Sequence, residues 1–141
     1  MKRKIELNWG KKMMFDAQSN GHKITLDGHS REVGGEDNGP PPKPLMLVAL
    51  GGCNGQFIVS LLKKMRVEVD DFKIMVEAEE TEEHPKHYSK IHQTYVFTGK
   101  DLNKKMIEKA VDLSENRYCG VTYTYRQAGI EMSSEIQYDE E

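Results

Sequence analysis

The chain reads as an α+β domain in which runs of strands alternate with single helices. Three observations carry that reading. Alternating apolar and polar residues recur at 3–9, 70–80 and 130–138, the period of a half-buried strand. Residues 44–65 form one long apolar run of helical length. A second stretch, 102–115, spaces Leu102, Met106, Ala110 and Leu113 three or four apart, as an amphipathic helix does.

The N-terminal third is expected to be a β-meander. Ile5, Leu7 and Trp9 share one face of the first strand, Gly10-Lys11-Lys12 makes a turn, and 13–18 returns. The Asn20-Gly21 pair favours a tight hairpin into 22–27. Residues 28–42 are rich in Gly, Asp, Glu, Asn and Pro and predict a loop, stiffened by Pro40, Pro41 and Pro42. Its length within a compact domain suits a functional loop.

The run 44–65 is apolar on nearly every face, which predicts a helix buried on most sides. Gly51, Gly52 and Gly55 surround Cys53. Each costs a helix roughly 1 kcal/mol relative to alanine. Two explanations stand side by side: a backbone or substrate approaches the thiol closely, or small residues simply mark a packing contact. Lys63, Lys64 and Arg66 suit the negative end of the helix dipole.

Strands follow at 70–80 and 86–98, and Asp101 is placed to cap the helix 102–115. The tract 118–125 is ambiguous, because Val121, Thr122, Tyr123 and Tyr125 favour a strand but the segment is short. A last strand covers 130–138, and the pattern predicts an antiparallel arrangement throughout.

Bulk properties narrow the function classes. At 141 residues the chain has room for a single domain, 1–141. A net charge of −3, from 20 basic and 23 acidic residues, gives nucleic-acid binding no electrostatic support. Lys2, Arg3, Lys4 and Glu6 leave no apolar core for a signal peptide. Glycines, Asn54, Gln56, Ser60 and two lysines interrupt the long apolar run, which argues against a membrane span. The expectation is a soluble, cytoplasmic protein with no membrane or nucleic-acid partner. Cys53 and Cys119, 66 positions apart, have no zinc spacing.

His84, His87 and His92 cluster in sequence, yet His87 and His92 are five apart and point to opposite faces of a strand. They are read as exposed strand-end residues, and no metal site is expected. Glu32, Glu36 and Asp37 are read as a solvated charged loop with a possible place near the thiol.

The stretch LGGCNGQFIVSLLKKMRVEVDDFKIMVEAE, followed by AVDLSENRYCGV, resembles the OsmC/Ohr family. The most specific parts are Gly51-Gly52-Cys53 opening a helix that ends Lys63-Lys64-Met65-Arg66, and Leu113-Ser114 followed by Tyr118-Cys119. The resemblance implies an OsmC-like fold, in which a curved antiparallel sheet wraps two central helices of an intertwined homodimer. It further implies a thiol peroxidase that reduces organic hydroperoxides, or hydrogen peroxide, and is reset by a dithiol reductant. Cys53 would be the peroxidatic cysteine and Cys119 the resolving one, with no metal or organic cofactor.

The chain departs from that family at the activating groups. Family peroxidases pair the cysteine with an arginine from an N-terminal strand or loop, which a glutamate upstream of the cysteine orients. Here the glutamate's place falls on Lys43 or Pro44, and no arginine lies in 11–27. Arg31, or Lys11 or Lys12 of a partner chain, is the expected activating cation, and Cys53 is expected to have a lowered pKa. The alternative function is a weakly catalytic or non-catalytic relative that binds a small apolar ligand or senses oxidants in the dimer cleft.

Overall fold

The computed structural model describes residues 1–141. The chain divides into two compact units, Met1–Met46 and Leu47–Glu141.

The first unit is a three-stranded antiparallel meander of β1 (Glu6–Trp9), β2 (Phe15–Ser19) and β3 (His22–Leu26). Asn20 and Gly21 both take positive φ, 49° and 80°, the conformation that a two-residue hairpin matching the strand twist requires. Register sets Leu7, Ala17 and Ile24 in one cross-strand row and Trp9, Phe15 and Leu26 in the next. One face of the sheet is therefore apolar. It is also open: Leu7, Trp9, Phe15 and Ile24 are between 40% and 59% exposed.

The loop after β3 is ordered by Asp27. Its carboxylate accepts the backbone N–H groups of Gly28, at 2.7 Å, and Asn38, at 3.1 Å, together with the Asn38 side chain at 3.1 Å. The Asn38 N–H, above all, holds this carboxyl below the usual carboxylate range. A short 3-10 turn, Arg31–Val33, lies within the loop.

The second unit starts within α1 (Leu45–Lys64) and continues through β4 (Asp71–Glu80), β5 (Tyr88–Gly99), α2 (Lys104–Leu113), a π-helical turn (Ser114–Tyr118), α3 (Gly120–Gln127) and β6 (Glu131–Glu140). β5 is central, antiparallel to β4 and parallel to β6. The parallel pair corrects the all-antiparallel expectation. Its cause is the crossover: the chain leaves β5, builds α2, the turn and α3, and re-enters the sheet from the end where β5 began. The two helices expected from sequence are three, because 118–125 folds as the end of the π turn and α3. The helix 102–115 is likewise cut to α2, and its cap is Asn103, not Asp101. Asn103 accepts the Met106 N–H at 3.2 Å, while Asp101 sits outside the helix with φ of 51°.

One core joins Ile58 and Leu62 of α1, Tyr95 and Phe97 of β5, and Ile107 and Val111 of α2. A smaller cluster is centred on Leu50, Tyr88 and Ile91. In α1 the buried residues Leu50, Asn54, Ile58 and Leu62 recur every fourth position, so a single stripe faces the core. Val48 and Val59 are more than half exposed, and Phe57 is 36% exposed. The expectation of burial on most sides thus holds for one face of this single chain. By length and composition α1 would suffice to cross a membrane, with only 28% of its apolar window buried. Asn54 and the packing against β4 nevertheless tie its buried face into this unit.

The glycines resolve into two roles. A β-carbon on Gly51 would lie 3.2 Å from a Val76 methyl, and one on Gly55 would lie 3.0 Å from Ile74 Cδ1. Those two let α1 settle onto β4. Gly52, next to Cys53, meets nothing within 4 Å and leaves the approach beside the cysteine unfilled.

Candidate functional site

Cys53 lies in the third turn of α1 and is partly exposed, while Cys119 is buried, 3% exposed. Both are free thiols. The fold brings them together: the Cys119 side chain and the backbone N–H groups of Val121 and Gly120 all act on the Cys53 thiol. The 66-residue separation is closed because Cys119 is the N-cap of α3, and α3 packs Val121 and Tyr125 into the small core beside Leu50.

The N-terminus of α3 is built around sulfur. Cys119 Sγ accepts the Thr122 N–H at 3.3 Å, doing what a Ser or Asp oxygen does at other helix starts. The Cys119 N–H donates to the Ser114 carbonyl at 2.8 Å, which closes the π turn. π turns of this kind interrupt helices frequently at functional sites.

Burial pushes the Cys53 thiol up from its ordinary value. The adjoining Cys119 thiol adds to that, and the N–H groups of Val121 and Gly120 pull weakly the other way. This is opposite to the lowered value expected from sequence. The reason is the balance of influences: burial comes first, then the Cys119 side chain, and no cation of this chain stands among the main ones.

On the same helix, Leu50 and Ile58 turn into the two cores. Phe57, one helical turn beyond Cys53, stacks on Tyr118 with ring centroids 5.8 Å apart. The Phe57–Tyr118 pair bridges the two segments that carry the cysteines and leaves an apolar surface beside them.

Arg31 belongs to the N-terminal unit, where it lines a cleft of about 360 Å³ with Lys12, Gly34, Gly35, Glu36 and Asn38. Lys12 pairs with Glu36 at 3.3 Å, and Lys11 lies over the Trp9 ring at 4.9 Å. Asp37 bonds His29 at 2.8 Å. Of the other histidines, His87 has its Nδ1 2.6 Å from the Pro85 carbonyl, and His92 meets Ser133 at 2.7 Å and Glu135 at 3.2 Å.

Sequence reasoning passed over a set of polar residues behind Cys119. Glu115 accepts the Tyr95 hydroxyl at 2.7 Å and the Ser134 hydroxyl at 3.1 Å. Burial, then Glu115, pushes the Tyr95 hydroxyl far above its ordinary pKa, so it stays a donor. Glu115 and Ser134, with Gln93, Thr122 and Arg126, line a cavity of about 160 Å³. Gln93 Oε1 is buried without a partner. The one available signal was Gln93 itself, a polar residue on the core face of β5 between Ile91 and Tyr95.

Comparison with known proteins agrees with this architecture. Residues 35–135 match the family of OsmC-like proteins. Protein YhfA of Escherichia coli strain K12 is 34% identical over 123 residues, 86% of this chain and 88% of that protein. Among solved structures, a hypothetical protein from Aquifex aeolicus VF5 aligns with a TM-score of 0.81 and 32% identity, over 99% of both chains. The organic hydroperoxide resistance protein OhrB of Bacillus subtilis aligns over 98% of both chains with a TM-score of 0.61, but at 16% identity it shares the fold only. With the family match spanning most of the chain and both cysteines inside it, this protein belongs to the OsmC-like family.

Proposed function

We propose that the protein is a cytosolic, dimeric thiol peroxidase in which Cys53 attacks the hydroperoxide and Cys119 resolves the product. The observation that carries this reading is that the fold sets two free cysteines near each other, the Cys119 side chain acting on the Cys53 thiol from the start of α3. Thiolate attack on the distal peroxide oxygen breaks the O–O bond, releases an alcohol once a proton is supplied, and leaves Cys53 as a sulfenic acid. Cys119 then attacks the Cys53 sulfur, expelling water and forming a disulfide that a dithiol returns to two thiols. These steps use sulfur chemistry alone. The partly exposed Cys53, the open space at Gly52 and the Phe57–Tyr118 surface suit an organic hydroperoxide.

Because the single chain raises the Cys53 pKa, the reading requires a cation that this chain's own neighbours of Cys53 do not provide. Arg31 is the first candidate, because Lys12 and Lys11 already engage Glu36 and Trp9. The raised thiol is also the observation that favours a second reading, a weakly catalytic relative that binds a small apolar ligand or senses oxidants.

A single-turnover experiment separates the two. One equivalent of an organic hydroperoxide should be consumed with loss of both free thiols, leaving an intramolecular disulfide. Unconsumed peroxide with two thiols remaining would reject the peroxidase.

A further inference from the structure

Asn54, next in sequence to Cys53, is a carboxamide with no exposed surface in a stripe whose other members are Leu50, Ile58 and Leu62. A buried amide without partners costs about 1–3 kcal/mol, so a leucine would serve packing better unless the amide has a task. Its bonds define one. Oδ1 accepts the Ser114 hydroxyl at 2.7 Å, and Nδ2 donates to Thr122 Oγ1 at 3.0 Å and to the Leu50 carbonyl at 3.4 Å. Ser114 and Thr122 are themselves 0% and 1% exposed.

Those two partners are the residues that hold Cys119. The Ser114 carbonyl takes the Cys119 N–H at 2.8 Å, and the Thr122 N–H donates to Cys119 Sγ at 3.3 Å. One amide on the Cys53 helix is thereby bonded to both anchors of the other cysteine, across 60 and 68 residues of chain. The bracket is closed on every side: Cys53 to Asn54 by the backbone, Asn54 to Ser114 and Thr122 by side chains, and those two to Cys119 by main-chain groups.

We infer that Asn54 is the positioning residue of the redox pair, setting through Ser114 and Thr122 the effective concentration of the Cys119 thiol at Cys53. This rests on the proposed pairing of Cys53 and Cys119 and deepens it. Asn54 touches no reacting atom. Its effect falls on the step in which the Cys119 sulfur forms the S–S bond, the S–O bond of the sulfenic acid breaks, and the hydroxide leaves with the thiol proton as water. Pre-orienting two groups raises an intramolecular rate and its equilibrium constant together, and small displacements lose much of both.

The test uses the full-length protein in a buffer of reduced and oxidised glutathione, without peroxide. The fraction of Cys53–Cys119 disulfide gives the pair's reduction potential. Asn54→Leu keeps the volume and removes the bonds. It should lower the equilibrium constant for disulfide formation at least tenfold, a rise in potential of about 30 mV for this two-electron couple. Asn54→Asp keeps the acceptor for Ser114 and loses the donor to Thr122, and should fall between parent and Asn54→Leu. If Asn54→Leu does not fold, Ser114→Ala and Thr122→Val each remove one arm of the bracket and should each raise the potential by part of that amount. Variants that lose stability in urea yet keep the parent potential would overturn the inference and leave Asn54 a structural residue. The measurement is independent of peroxidase activity. A parent that ignores peroxide but shows this shift loses the proposed function and keeps the bracket.

Discussion

In a Cys119→Ser protein, one equivalent of an organic hydroperoxide is expected to oxidise Cys53 and stop there. The sulfenic acid has no neighbouring thiol, so it should react with dimedone in place of forming a disulfide, or run on to the sulfinic acid with excess peroxide. Turnover with a dithiol should fall by orders of magnitude, because the second step changes from an intramolecular reaction to a bimolecular one. Peroxide consumption in the first turnover should persist. Cycling at the parent rate would remove Cys119 from the resolving role, since no other cysteine exists in the chain. The complementary Cys53→Ser protein should consume no peroxide even in the first turnover.

The second large effect concerns assembly. Each unit by itself leaves apolar surface uncovered. In the first, Leu7, Trp9, Phe15 and Ile24 lie on one open sheet face. In the second, α1 presents Val48 and Val59 to solvent on the side away from its buried stripe. A folded monomer seldom leaves apolar faces of this kind open to water. A second copy of the chain is the expected cover, in an obligate dimer whose interface exceeds about 2,000 Å². Light scattering should give a mass of two chains down to nanomolar concentration, and a Trp9→Lys, Val59→Lys double variant should dissociate or fail to fold. A stable folded monomer of 16.2 kDa at low concentration would contradict this.

The strands and the long helix were legible because their patterns are local. Alternation in 70–80 and the length of 44–65 lead to β4 and α1 with ends shifted by a residue or so. The turn at Asn20-Gly21 was equally readable, since both residues tolerate the positive φ it needs. What failed was non-local. Val121, Thr122 and Tyr125 favour a strand by propensity. Yet the Cys119 cap, the Thr124 hydroxyl bonded to the Gly120 carbonyl at 2.8 Å, and the packing of Val121 and Tyr125 against Leu50 make the segment a helix. That ambiguity hid the crossover, and with it the parallel pairing of β6. Sequence likeness singled out both cysteines, but not what aligns them. Asn54 looked like an interruption of an apolar run, and Ser114 and Thr122 like ordinary polar residues. Within one chain the Cys53 thiol is raised, not lowered, because burial and the Cys119 side chain act on it and no cation stands among its main influences.

The central claim is that Cys53 reacts as a thiolate, and its pKa tests that most directly. A free cysteine titrates near 8.5 and is only a few per cent thiolate at pH 7. The environment within one chain raises that value, which would lower the reactive fraction further at neutral pH and move the rise in reactivity to higher pH. Iodoacetamide alkylation of Cys53, followed on its peptide by mass spectrometry against pH, gives the value in the assembled protein. The account predicts a midpoint below that of free cysteine in the parent and a return upward in Arg31→Ala. A low midpoint unaffected by Arg31→Ala, Lys11→Ala and Lys12→Ala would reject these three as the activating cation. A parent midpoint at or above the free-cysteine value would contradict the peroxidase itself.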